Sequence, residues 1–600
     1  MKTITKYLSA LVLGSMLFAG CENFLDTVSY TESNTSNFPA SETDALQLVT
    51  GIYSVLNQAA YEPSAHSFIA NLTASDECFG GGGQDDYEIQ AYDHLLYFEP
   101  NAQLDYWEPY YAGITRANMA IANLDKVEDE ELRNQLFGEA YFLRSYLLFD
   151  LTQQFGDIPL VSAIPNSVSE AAEYPAPGTT EEIYGTIAAG LQKAIAIMPS
   201  KPWDQCVSGL RHVTKWDAEA MLARVYLFYT GFYSDKEGKS ITTLPLIDLE
   251  TGELTSGSIG KDEVVKGLED CIANSGHKLV SDYRLMWPYT NSATKADYKY
   301  AQGVSGTWLT DEVNPEEMFS ICFSNVAESS RNRNKFDQYL GVRKRSHYEV
   351  NAFPFSRGYG MATVNPYIWE QWEKDEPGDI RKAASIYYIY DEMDNADKDY
   401  TWGNDQQMEE TGFWQKKYQA WGAMVNGKFF YEFSSIPEYG GSGSDLGRGH
   451  SLQNVQIIRF ADVLLMHSEL TDGKVIYNGK SGMNAVRARV GLPDKAYSVD
   501  ALRKERQHEL AFEGIRWGDM RRYGKAYCIA ALQTQLGQPI KNNSKPTVMK
   551  DQGVGYKARY EATWGFRPFP QSEVSLSAGV LKQNEGWTDS STAQYTNWKD

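Results

Sequence analysis

The chain has 600 residues, 42% of them hydrophobic, and carries 79 acidic against 55 basic side chains for a formal charge of −24. That excess of negative charge repels phosphate backbones and anionic headgroups, which argues against nucleic acid as a partner and against an electrostatic grip on a membrane surface. Apolar material is ample for a core, and the length suggests about four domains at ~150 residues each unless one helical array absorbs the chain.

Lys2 and Lys6 precede an apolar run from Leu8 to Phe18, and Phe18-Ala19-Gly20-Cys21 places small residues before a cysteine. This is a lipobox. Residues 1–20 read as a lipoprotein signal peptide and Cys21 as the residue that takes a diacylglycerol, with an unmodified thiol beside an ordinary secretory site as the plainer alternative. No later stretch approaches ~20 consecutive apolar residues, so acyl chains are the expected link to a membrane.

Residues 21–43, rich in Ser, Thr and Asn, read as a tether. Helical periodicity then predicts segments at about 45–58, 107–124, 129–155, 180–198, 215–229 and 261–273. Gly156-Asp157-Ile158-Pro159 stops the third, Tyr174-Pro175-Ala176-Pro177-Gly178 is a linker, and Thr180-Glu181-Glu182 opens the next helix. Helices paired in this way, with Ala and aromatic residues at the packing positions, are similar to irregular tetratricopeptide units; they make 44–280 an N-terminal helical part.

From 281 to 449 the pattern changes to short apolar pieces between Gly, Asn, Asp and Pro, a loop-rich lobe with short strands and a candidate ligand face. Helical spacing returns at 458–470, 482–490 and 498–513 before a polar, weakly patterned tail, so 450–600 closes the scaffold. The expected fold class is mostly α: a helical scaffold from two separated parts of the chain, carrying an irregular lobe.

The remaining chemistry is sparse. Besides Cys21 there are cysteines at 78, 206, 271, 322 and 528, too scattered for a zinc site and odd in number, which suggests buried thiols with at most an unidentified bridge. The eight histidines are dispersed, and no phosphate, dinucleotide or hydrolase motif is present, so neither a metal nor a cofactor is expected. Asp394-Asn395-Ala396-Asp397-Lys398-Asp399 lacks the glycine and terminal glutamate of a calcium loop and reads as a solvated acidic loop. Glu505, Glu509 and Glu513, four apart, share a helical face near Arg506, Arg516, Arg521 and Arg522, and helix-surface ion pairing explains that spacing better than a pair of catalytic carboxylates. Aromatic residues make up 13% of the chain, and seven of its 14 tryptophans fall between Trp287 and Trp421, as a protein that stacks rings on sugars would place them.

Several blocks resemble the SusD/RagB family of outer-membrane lipoproteins, in that family's order. They are Gly138-Glu-Ala-Tyr-Phe-Leu-Arg-Ser-Tyr-Leu-Leu-Phe-Asp-Leu with Phe155-Gly-Asp-Ile-Pro-Leu-Val, then Ala220-Met-Leu-Ala-Arg-Val-Tyr-Leu, then Ile458-Arg-Phe-Ala-Asp-Val-Leu-Leu-Met-His-Ser-Glu-Leu. Asn484-Ala-Val-Arg-Ala-Arg-Val-Gly-Leu, Glu505-Arg-Gln-His-Glu-Leu-Ala-Phe-Glu-Gly-Ile-Arg-Trp-Gly-Asp-Met, Pro568-Phe-Pro-Gln-Ser-Glu and Gln583-Asn-Glu-Gly-Trp follow. The resemblance implies about four tetratricopeptide-like helix pairs, and a non-catalytic role at the cell surface. In that role the protein captures oligosaccharides and delivers them to a SusC-like TonB-dependent outer-membrane barrel. Peptide cargo, as in the RagB branch, and a surface glycoside hydrolase are the alternatives.

Ser75-Asp76-Glu77-Cys78-Phe79-Gly80-Gly81-Gly82-Gly83-Gln84-Asp85-Asp86-Tyr87 joins four glycines, which permit φ > 0 and close approach, to carboxylates able to accept from sugar hydroxyls. The resemblance makes this position a loop of the ligand site, with Asp76, Glu77, Phe79, Asp85 and Tyr87 as candidates; glycine where a glucan binder can place an aromatic argues against starch. A plain surface turn accounts for the same residues. Between Arg331 and Tyr348 six basic residues meet one acid, Asp337, and Arg343 with Tyr339 suits an acidic glycan or else a solvated face. Phe355, Arg357 and Tyr359 combine aromatic and backbone-permissive positions and complete the candidate sugar contacts, while Trp369 and Trp372, at helical spacing, are expected in the core.

Overall fold

A computed structural model describes residues 38–61, 67–165, 167–310, 313–323, 334–343, 358–393, 396, 400, 402, 406–419, 421, 423–425, 428–430 and 453–600. Cys21, Phe355, Arg357, most of the tether and all but Ala396 of the acidic loop lie outside these residues.

The helices form a serial array in which each packs on its neighbour. Glu42–Tyr61 lies on Leu104–Ile121, which lies on Glu130–Phe155, followed by Thr180–Ile197, Lys215–Phe228 and Lys261–Asn274. The chain then leaves for the lobe and returns with Phe460–Leu470, which packs on Lys261–Asn274 and on Gly482–Arg489 and Val499–Glu509. The first eight of these nine helices make four successive pairs, as expected, the last supplied by the C-terminal part, with Val499–Glu509 packed on it.

Local chemistry sets the helix ends. The Asp129 side chain accepts from Leu132 N at 2.8 Å, and Gly156 at φ 77° ends the same helix. Thr179 and Glu182 form a reciprocal capping box on the next. Lys215–Phe228 runs into a π-helical turn at Tyr229–Tyr233, where a Cβ on Gly231 would stand 2.5 Å from the Arg522 carbonyl, so a glycine is needed for the tail to seat there.

The sheets are two-stranded and small. Thr243–Ile247 and Leu254–Gly260 make a hairpin that periodicity did not reveal. Cys78–Gly81 from the N-terminal part pairs antiparallel with Met361–Val364 of the lobe, and Ile386–Tyr388 pairs with Phe413–Gln415. One buried apolar core runs from Ala45 through lobe residues such as Trp287, Trp372, Trp414 and Trp421 to Leu581, so the three parts of the chain share an interior. Four of the seven clustered tryptophans therefore serve packing. The polar tail also carries helices, Arg516–Arg522, Lys525–Gln533 and Tyr556–Thr563 among them, around a second core with Trp517, Cys528 and Tyr560. Among the described residues no helix is long and apolar enough to cross a membrane, and the five described cysteines are free.

Candidate functional site

The four glycines form a tight, internally bonded turn. Gly81 and Gly82 take φ 69° and 73°, and a Cβ on Gly81 would meet the Gly360 carbonyl at 2.4 Å. Gly82 N donates to Gly360 O at 2.7 Å, Met408 N to Gly82 O at 2.8 Å, and the Gln90 amide to the carbonyls of Gly81 and Gly83 at 3.0 and 2.8 Å. Close approach, rather than surface freedom, is what demands glycine here.

Beside this turn the structure brings together residues far apart in sequence. Arg343 Nη1 lies 3.2 Å from Asp86 Oδ2 and donates to the Tyr359 carbonyl at 3.0 Å; a Cβ on Gly83 would touch its guanidinium. Tyr339, on the short helix Phe336–Leu340, meets Tyr359 edge to face at 5.3 Å and 88°. Both rings are half-buried, Asp85 is exposed, and Tyr87, half-buried, stacks on Phe98. Burial pushes the Asp86 carboxyl up against the pull of the Gly83 amide and Arg343. The corner thus offers two aromatic rings, a partly exposed ion pair and an exposed carboxylate, groups suited to stacking on ring C–H faces and hydrogen bonding to hydroxyls.

Three candidates are corrected by burial. Asp76 is 3% exposed and paired with Arg516 at 2.7 Å. Glu77, 1% exposed, accepts from Phe512 N at 3.1 Å, and burial together with the Asp76 charge pushes its carboxyl up to about 8. Phe79 packs with Ile540 and Met549. All three are structural groups that anchor the turn from beneath.

The glutamate series is also buried, rather than on a helix surface. Arg381 bridges Glu505 and Glu509 at 2.6 and 2.9 Å, Arg459 bridges Glu509, Glu513 and Glu316, and Lys417 reaches Glu513 at 2.6 Å. Arg506 instead pairs with Asp462 and Asp519. Burial alone would raise the Glu509 carboxyl, but Arg489, Arg459 and Arg381 hold it well below its ordinary value. Carboxylates locked in this way cannot serve as a proton donor and nucleophile.

Trp372 is in the core, stacked on His508 at 4.4 Å, but Trp369 is only half-buried, with Lys382 Nζ 4.1 Å above its ring. It opens an aromatic row that sequence reasoning missed: Trp369 and Tyr388 both contact Phe413, the latter stacked at 4.2 Å, and Tyr390, 45% exposed, accepts from Trp402 Nε1 at 3.3 Å. Three tyrosines within Ile386-Tyr387-Tyr388-Ile389-Tyr390 were the available signal; Ile386, Tyr387 and Ile389 are buried, Tyr388 is half-buried and Tyr390 is exposed.

Comparison with known proteins agrees with this architecture. Residues 23–227 match the family model described as "Starch-binding associating with outer membrane", and residues 327–587 match the one described as "SusD family". SusD-like protein P2 of Formosa agariphila is 24% identical over 504 residues, 80% of each chain. Among solved structures, a laminarin binding SusD-like protein superposes with a TM-score of 0.65 at 22% identity, covering 91% of this chain and all of that one. Surface glycan-binding protein A from Bacteroides thetaiotaomicron, in complex with laminarihexaose, superposes at 0.62 and 17% identity over 91% of this chain and 99% of its own. With the two matches falling in order along a shared fold, the chain belongs to the SusD/RagB family.

Proposed function

We propose that this protein is a non-catalytic, lipid-anchored oligosaccharide receptor of the outer cell surface, tethered through Cys21 and handing its ligand to a SusC-like TonB-dependent barrel. The observation that carries the sugar assignment is the corner where Tyr339, Tyr359, Arg343 and Asp86 converge above a rigid glycine turn. Family membership supports the surface location, and structural relatives whose described ligands are laminarin and xylogluco-oligosaccharide support the ligand class. The arginine-locked glutamates support the absence of hydrolysis.

A glycan array followed by calorimetry against laminari- and xylogluco-oligosaccharides tests the reading. Saturable heat from an oligosaccharide, with no release of reducing ends, is expected. Heat from peptides alone overturns the sugar assignment, and steady turnover overturns the non-catalytic one.

A further inference from the structure

Beneath the glycine turn lies a buried group that the glycan reading does not use. Asp93 and His94 end the helix Tyr87–Asp93, and Glu409 enters from the lobe; each offers a ligand atom, and these atoms lie within 4.8 Å of one another. Ligands of a tetrahedral zinc ion at ~2.1 Å each stand about 3.4 Å apart, so the three side chains lie near enough to close on one ion by drawing together.

The hydrogen bonds around the group are those of an outer shell. Gly80 N donates to Asp93 Oδ2 at 3.1 Å and Tyr556 Oη to Asp93 Oδ1 at 3.0 Å, while Gly81 N donates to Glu409 Oε2 at 2.8 Å. Each donor takes one lone pair of a carboxylate oxygen that has two, orienting the carboxylate and leaving acceptor capacity free. His94 Nε2 contacts Glu409 Oε1 at 3.3 Å, and its Nδ1 is buried with no hydrogen-bond partner. Nε2 is the ring nitrogen that faces Glu409, and in the neutral imidazole its lone pair is the kind of donor that metals take.

Charge points the same way. The Glu505–Glu509–Glu513 series is matched by arginines, but among the described residues no lysine or arginine is in ion-pair contact with Asp93 or Glu409.

We propose that Asp93, His94 and Glu409 bind a divalent cation of the zinc class, which pins the glycine turn to the lobe and to the C-terminal tail. One nitrogen and two oxygen donors suit zinc and its neighbours better than calcium or magnesium, which favour all-oxygen shells. Binding displaces the protons that the apo group shares, leaving neutral imidazole and two carboxylates as ligands. Trp598, partly buried, lies with its ring 6.0 Å from the imidazole.

The site is independent of the glycan reading and is tested without a sugar. Purified protein is stripped with chelator and titrated with ZnCl2 by calorimetry, with CoCl2 by visible absorption, and with ZnCl2 in thermal melts. One ion per chain, ligand-field bands from cobalt and a midpoint that rises with zinc are expected, with affinity at least tenfold weaker in His94→Gln and Glu409→Gln. No cobalt bands and no zinc-dependent shift in the unaltered protein overturn the proposal, and so does full affinity in both variants. Because the cobalt spectrum is read on the unaltered chain, a variant that fails to fold does not shield the idea.

Discussion

Arg516 holds Asp76 through two parallel contacts, Nε to Oδ1 at 2.8 Å and Nη2 to Oδ2 at 2.7 Å, between residues 440 positions apart. Both are buried, and the pair fixes the segment leading into the glycine turn against the C-terminal part. Asp76→Ala leaves a guanidinium buried without its partner, so a loss of roughly 3–5 kcal/mol is expected in denaturant unfolding followed by tryptophan fluorescence. A midpoint equal to that of the parent chain would show that the pair carries no such weight.

Glu77 makes the same region sensitive to rising pH between about 4.5 and about 8. Its folded value of about 8 lies above the ordinary 4.5, so the folded state holds a proton that the unfolded chain releases. The stabilisation is complete below the ordinary value and is lost as pH rises through about 8. Glu77→Gln keeps an acceptor for Phe512 N and removes the titration, so the decline in melting temperature as pH rises from about 4.5 to about 8 is expected to flatten. An unchanged slope counts against the assignment.

Glu509 works in the opposite direction. Its carboxyl is held below the ordinary value, so its stabilisation is present at neutral pH and is lost as pH falls below that value. Glu509→Gln leaves Arg381, Arg459 and Arg489 short of one charge; a neutral-pH loss of roughly 3–5 kcal/mol and a shallower acid transition are expected from pH-dependent melts.

Ligand binding is read at Tyr359. Tyr359→Ala is expected to weaken oligosaccharide binding by roughly 1–3 kcal/mol in calorimetry, the scale of other aromatic stacking losses, while circular dichroism stays unchanged. Undiminished affinity removes Tyr359 from the site.

The aromatic row has its own signature. Because Tyr390 is the most open ring of the row, Tyr390→Ala is expected to lower affinity for long glycans more than for short ones. Equal losses for both lengths, or none, argue against contact along the row.

Much of the scaffold was legible because its signals are local. The helix Glu130–Phe155 shows its start in Asp129 and its stop in Gly156, and the glycine run announced the left-handed turn that Gly81 and Gly82 adopt. Tertiary partners were not legible in the same way. The spacing of Glu505, Glu509 and Glu513 pointed to nearby arginines, but their partners come from positions 381, 459, 487 and 489, which only the fold brings together. The tail helices escaped notice because they are short and polar; Arg516–Arg522 is held by Trp517 and by cross-chain ion pairs rather than by a long apolar stripe. Asp76, Glu77 and Phe79 look like loop residues in sequence, and only the strand pairing with Met361–Val364 shows that they are covered.

The Asp76–Arg516 contact also bears on how the chain is made. At about 5–20 residues per second, the ribosome needs roughly twenty to ninety seconds to span the 440 positions between the two. Throughout that interval the nascent chain carries an acidic, glycine-rich segment whose closing partners have not been synthesised. Closure is therefore a late event in the making of the chain, and C-terminal truncations that remove Arg516 are expected to accumulate as protease-sensitive intermediates rather than as smaller folded proteins.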